Sequence, residues 1–126
     1  MRHLLTEVFD TLGPGHTESV YHRALEVAMR LENIQYDSEV VVPVLFRNHI
    51  VGNIRCDVIV DGVILELKAV SRLNDDHRQQ LRNYLKILNK PLGLLVNFGS
   101  SLSVEEIQHP IEQDPECPHV NPPWLF

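Results

Sequence analysis

The sequence predicts one α/β domain in which a mixed sheet is flanked by helices. Three observations carry that reading. Residues 2–12 and 17–33 repeat their apolar side chains at helical spacing. An Asp61-Gly62 pair sits between two apolar runs, among the strongest local signals for a hairpin. The segment "LGLLVNF" at 92–98 is apolar on both faces, as a central strand covered by helices should be. A chain of 126 residues with 44% hydrophobic content has enough apolar surface for one real core.

Each element follows from its local pattern. In 2–12, Leu4, Leu5, Val8, Phe9 and Leu12 form a helical stripe, and Gly13 is a natural stop. "GPG" at 13–15 breaks the chain, and Thr17 is placed to cap a second helix striped by Val20, Tyr21, Ala24, Leu25, Ala28 and Leu31. "VVVPVLF" at 40–46 is β-branched, and Pro43 marks it as an edge strand. "RNH" at 47–49 is a turn, after which 50–60 and 63–70 read as strands. A third helix spans 74–88, capped by Asn74 or Asp75, with Leu81, Tyr84, Leu85 and Leu88 inward. Ser103 and Glu106 have capping-box spacing and predict a last short helix. The domain therefore runs over 1–109, and 110–126, with five prolines in 17 residues, reads as an irregular tail.

The net charge of −6 argues against a protein that coats nucleic acid by charge alone. It leaves room for a local basic groove, since Arg72, Arg78, Arg82, Lys86 and Lys90 fall close together. Cys56 and Cys117 lack metal-type spacing and read as reduced thiols of an intracellular protein. No apolar run approaches membrane-spanning length, and "MRHLLTEVFDTLG" is too short and too acidic for a signal peptide. The expected location is cytoplasmic, or nuclear for a eukaryotic source, with no membrane partner.

The hairpin places charges where the pattern reads as buried sheet. A two-residue loop at Asp61-Gly62 sets Val60 opposite Val63, Val58 opposite Leu65, and Asp57 opposite Glu66. Strict alternation then puts Asp57, Glu66 and Lys68 on one face, and Val58, Val60, Leu65 and Leu67 on the other. Opposed side chains lie about 4.5–5.5 Å apart at Cβ, so two like charges there need compensation. A divalent cation held by oxygen ligands, as Mg²⁺ prefers, supplies it. Lys68 beside that cation would hold and polarise a water, which are the parts that metal-assisted hydrolysis needs.

Plainer readings exist for each residue. A lone Glu-x-Lys in a strand is usually an ion pair at a strand end. Glu18, in the first turn of its helix, complements the helix dipole. Gln80 and Tyr84, four residues apart, read as a core tyrosine with a polar neighbour. The seven histidines show no ligand spacing, and His77 near the third helix's start is the one worth following.

The element order, together with Asp57 and then Glu66-Leu67-Lys68, resembles the PD-(D/E)XK nuclease superfamily. Within it the chain looks like the GxxExxY family: "GPGHTESVY" carries Gly15, Glu18 and Tyr21, and "ELKAV", "QLRNYLK" and "GLLVNFGS" follow in order. The resemblance covers about residues 3–101. It implies a restriction-endonuclease-like core and phosphodiester hydrolysis dependent on Mg²⁺ or Mn²⁺. Glu18, Asp57, Glu66, Lys68 and Gln80 would form the active site, with Asp57, Glu66 and Glu18 as metal ligands. Gln80 would orient Lys68 or a phosphate. Tyr84 would sit beside the site and touch the substrate, expected to be DNA. Apart from the resemblance, the basic run makes Arg72, Arg78, Arg82 and Lys86 candidate phosphate contacts, with a solvated helix face as the plainer reading. The acidic, Pro-rich ending departs from the family's pattern, and with the negative charge it points to a protein partner or a homodimer for tight binding. The rival reading is a non-catalytic subunit that keeps the fold and acts as an interaction module in a nucleic-acid-processing complex.

Overall fold

The computed structural model describes residues 1–109. Two helices, α1 (Arg2–Leu12) and α2 (Glu18–Leu31), lead into strands β1 (Asp37–Phe46), β2 (His49–Val60) and β3 (Val63–Lys68). Helix α3 (Asp75–Leu88) then crosses to β4 (Leu92–Phe98), and β5 (Leu102–Gln108) follows. The strands form one sheet in the order β1-β2-β3-β4-β5. β3 and β4 are parallel and every other neighbouring pair is antiparallel, so the sheet is mixed. The expected α/β, restriction-endonuclease-like architecture is the one observed.

Two apolar clusters sandwich the sheet. On one face Leu4, Leu5, Leu25 and Met29 of α1 and α2 pack with Val58, Leu65, Leu67 and Val96. On the other, Leu81 and Leu85 of α3 pack with Cys56, Ile64 and Leu95. β3 and β4 are covered on both sides, and every residue of β4 is buried. β1 is an edge strand, where Pro43 removes no donor that an inner ladder would need. Asp61 and Gly62 have φ of 50° and 77°, the positive values that a tight hairpin turn demands. No helix among the described residues is long and apolar enough to cross a membrane.

Three local expectations change. Residues 102–108 form β5 rather than a helix: all seven pair antiparallel with β4, from Phe98↔Leu102 to Leu92↔Gln108. An isolated helical turn there would satisfy few backbone groups, whereas the exposed edge of β4 offers a full ladder. β3 ends at Lys68 instead of continuing to 70. Thr17 sits at the N-cap of α2, but its hydroxyl meets Ser19 and no backbone N–H of the helix. At α3 the cap is Asn74, and His77 completes a reciprocal capping box with it, which gives that histidine a structural role. The proposed tail, 110–126, lies outside the described residues.

Candidate active site

The β2–β3 ladder has three pairs, Val60↔Val63, Ile59↔Ile64 and Val58↔Leu65. The next pair would be Asp57 and Glu66, and there the strands exchange side-chain bonds instead. The Glu66 carboxylate accepts from the Asp57 backbone N–H through Oε1 at 3.1 Å. The Asp57 carboxylate accepts from the Leu67 N–H through Oδ2 at 2.8 Å. The turn-derived register thus brings the two acids together, as expected.

Strict alternation fails at the same point. Ile54 and Cys56 pack on the α3 side, whereas Val58 and Val60, the next residues of the same even-numbered series, pack on the α1–α2 side. β1 inverts alongside. Val40 packs on the α3 side, while Ser38 meets His22 of α2 at 3.0 Å. Between them Glu39 adopts φ of 54°, and Glu39 and Asp57 drop out of the ladder. Asp57 therefore does not lie on a regular face shared with Lys68. It sits half-buried at the pivot where β2 changes face, and its charge acts on Glu18 of α2 and on Tyr84 of α3.

Glu66 is only 4% exposed. Burial, and then repulsion from Asp57, push its carboxyl up to about 8. Two residues on, Lys68 donates through Nζ to Gln80 Oε1 at 3.1 Å. Gln80 in turn donates through Nε2 to the Tyr84 hydroxyl at 2.9 Å. This relay fixes the amide orientation of Gln80, since the ammonium can only donate. Burial, followed by the negative charge of Glu66, raises the Tyr84 phenol above its ordinary value. Cys56, buried beside both acids, is pushed up to about 12 and is an inert thiol.

Glu18 opens α2 at the rim and is exposed. Partial burial of its carboxyl and repulsion from Asp57 raise it, while Lys68 pulls it down, so it senses both groups. Tyr21 explains how Glu18 is held there. Its ring stacks on Phe98 at 4.5 Å between centroids, 3° from parallel. Its hydroxyl donates to the Gly13 carbonyl at 2.6 Å and accepts from His16 N–H at 3.2 Å. Tyr21 thereby pins the Gly13–His16 segment to the core and fixes where α2 begins.

Asn97 is a contributor that sequence reasoning missed. It is the register partner of Lys68 on β4 and is 5% exposed. Its amide accepts from Val70 N–H at 3.0 Å and donates to Val70 C=O at 2.9 Å, which locks the exit of β3. A Cβ at Gly99 would stand 2.7 Å from that same carbonyl, so the close approach requires glycine. The available signal was a polar residue inside a strand apolar on both faces, since buried amides are retained with partners.

One of the basic residues is engaged within the fold. Arg78 is engaged by Glu105 at 2.7 and 2.9 Å and by Asp75 at 3.0 Å. It holds Glu105 below its ordinary value, and this bidentate pairing removes Arg78 as an open phosphate contact. Arg72, Arg82 and Lys86 are exposed.

Asp57 and Glu66 offer hard oxygen donors. Each keeps one carboxylate oxygen outside the bonds above, and the buried Glu66 would be favoured in its ionised form by a nearby cation. That donor set fits Mg²⁺, which takes one or two carboxylates and fills its remaining positions with waters and substrate phosphates. The three acids are not drawn into a preassembled cage: among the described residues no group of three or more His, Cys, Asp or Glu is gathered for a metal.

Comparison with known proteins agrees with this geometry. No curated protein matches the chain. Among solved structures, one titled "Crystal structure of SSO0001" superposes with a TM-score of 0.60 at 22% identity, covering 75% of this chain and 52% of that one. At that identity it shares the fold, and this chain spans about half its length. The sequence model described as "PD-(D/E)XK nuclease superfamily" matches residues 1–109, which contain every candidate site residue named above. The chain belongs to the PD-(D/E)XK nuclease superfamily.

Proposed function

We propose that the chain is a nuclease that hydrolyses phosphodiester bonds of nucleic acid, with DNA the expected substrate, and that it works with Mg²⁺ or Mn²⁺. The observation that carries this reading is Lys68, held by Gln80 two residues beyond a buried carboxylate that is itself bonded to Asp57's strand. Asp57 and Glu66 would hold the cation, with Glu18 at the rim as a further ligand or as an acid acting through water. When bound, the cation supplies Lewis-acid activation and neutralises charge on the phosphate.

The chain's own groups divide the remaining work. Lys68 gives one of its three protons to Gln80 and keeps two for a water or a phosphate oxygen, where it stabilises developing negative charge. Gln80 fixes the direction of that ammonium, and Tyr84 fixes Gln80. Asn97 holds the backbone just past Lys68, so the ammonium projects from a rigid strand end.

A panel of single- and double-stranded DNA and RNA with Mg²⁺ or Mn²⁺ tests the proposal. Cleavage is expected only with metal, and Glu66→Gln and Lys68→Ala should each lower it by at least about a hundredfold, the scale for losing one charge-stabilising group. Cleavage that survives chelation, or that is unchanged in both variants, would refute it. The neutralised Arg78 favours the rival, a fold retained as an interaction module, and binding without cleavage across the whole panel would establish that rival.

A further inference from the structure

A groove with a cavity volume of about 640 Å³ runs along α3 beside the candidate active site. Its volume is within the range of small-ligand clefts, roughly 300–1,000 Å³. Its walls include Gln80 and Tyr84, which connect it directly to the Lys68 ammonium. The other lining residues are unlike those of a phosphate track. Ile54 and Ile87 are apolar, and Ile87 is 39% exposed. Gln79 donates through Nε2 to Asn83 Oδ1 at 3.0 Å, which orients both amides. Among the described residues this leaves the Gln79 carbonyl oxygen as an open acceptor and the Asn83 amide as an open donor, four residues apart on one helix face.

We infer that this groove, through Gln79, Asn83, Tyr84, Ile54 and Ile87, seats an unstacked nucleobase next to the phosphate at Lys68, so that the substrate is single-stranded or locally unpaired nucleic acid. The inference rests on the nuclease reading for the position of the phosphate. A base out of its stack exposes apolar faces and a hydrogen-bonding edge together, and the groove has a counterpart for each. A duplex keeps those faces buried and presents phosphates and groove edges. For that surface the groove has poor complementarity, since most of its lining is uncharged and Arg78 on the same helix is ion-paired with Glu105. The lining carries one acid, Asp76 in the first turn of α3, and one base, Lys86 in its last turn, so the neighbouring phosphate is placed at the Lys86 end.

The test is equilibrium binding in chelator, where no strand is cut. The probes are a short DNA strand carrying 2-aminopurine, its perfect duplex, and the RNA strand of the same sequence. Wild type should bind the single strands at least about tenfold more tightly than the duplex, with a fluorescence rise as 2-aminopurine leaves its stack. Asn83→Ala and Ile87→Ser, both at exposed positions, should each weaken single-strand binding by about tenfold while leaving the weak duplex binding unchanged. Equal affinity for duplex and single strand, or variants that bind as wild type does, would overturn the groove. The two readings fail separately. Cleavage that depends on Lys68 but shows no strand preference removes the groove alone, and strand preference lost in Asn83→Ala without any cleavage removes the nuclease alone.

Discussion

Glu66→Gln makes a test that needs no substrate. In the metal-free protein Glu66 titrates near 8 instead of its ordinary 4.5, because it is buried and faces Asp57. A carboxyl whose folded value is raised binds its proton more tightly in the fold. Its contribution to stability is therefore complete below about pH 4.5 and is lost as pH climbs toward about 8. Each unit corresponds to roughly 1.4 kcal/mol, so by neutral pH the loss is on the order of 3 kcal/mol. Glutamine keeps an oxygen to accept from Asp57 N–H and cannot ionise. The variant should match wild type near pH 4.5 and become progressively more stable than it by about 3 kcal/mol at neutral pH. Urea unfolding in chelator at fixed ionic strength, repeated across this pH window, reads the difference directly. Taking the difference cancels the shared titrations, including the raised Glu18. Saturating Mg²⁺ should narrow the gap, since the variant keeps Asp57 but has lost the second carboxylate proposed to hold the cation. Parallel pH profiles for the two proteins would show that Glu66 is ionised at ordinary pH, and the electrostatic picture of the site would be wrong.

Tyr21→Phe should lose the Gly13 and His16 bonds but keep the Phe98 stack, costing about 0.5–1.5 kcal/mol in thermal or urea melts. Any nuclease activity should drop with it as Glu18 loses its fixed position, and an unchanged melt would deny Tyr21 its anchoring role. Neutralising Arg82 and Lys86 should flatten the salt dependence of nucleic-acid binding by about one per phosphate contact, whereas Arg78→Gln should leave the slope alone, because Glu105 already holds that guanidinium. An equal loss of slope in Arg78→Gln would show that the ion pair opens on binding. Asp57→Asn removes a charge that raises Glu66, so the Glu66 carboxyl, followed by NMR, should titrate at lower pH than in wild type. No movement would separate the two acids electrostatically.

Much of this was readable in the residues because the deciding interactions are local. The Asp61-Gly62 turn sets a register that needs no tertiary knowledge, and it brings Asp57 opposite Glu66 as expected. The apolar stripes of α1, α2 and α3 identify their buried sides for the same reason. The missed features depend on distant partners. Ser103 and Glu106 have the spacing of a helix start, yet β4 lies beside them and its open edge prevails. Arg78 is spaced like a member of a basic helix face, but Glu105, 27 residues later, captures it. The inversion at Asp57 is likewise invisible to an alternation rule, since it requires Glu39 of the neighbouring strand to turn into the left-handed region at the same level. Glu18 stands at the rim, apart from the directly bonded Asp57 and Glu66 strand ends, and nothing in its spacing along the chain marks that difference.

That inversion also settles why acids stand in an otherwise apolar hairpin. In regular strands, carbonyls of neighbouring strands in the sheet would accept from Asp57 N–H and Leu67 N–H, and side chains 57 and 66 would not be needed as acceptors. Because β2 changes face there, the ladder stops at Val58↔Leu65, and the two carboxylates take over the orphaned donors. Each acid thus performs a structural task with one oxygen, and the Lys68 charge acts on Glu66 from two residues along β3. The two roles separate under substitution. Alanine at 57 or 66 removes the backbone acceptor and the charge together, so a dead alanine variant would not distinguish a lost site from a frayed strand end. Asparagine at 57 and glutamine at 66 keep the acceptor and delete the charge, so a loss of metal response in those variants belongs to the electrostatics. On the proposed function, acids that also tie the ends of β2 and β3 together should tolerate amides in stability and fail with them in metal response and cleavage, and that dissociation is what distinguishes them from an ordinary ion pair at a strand end.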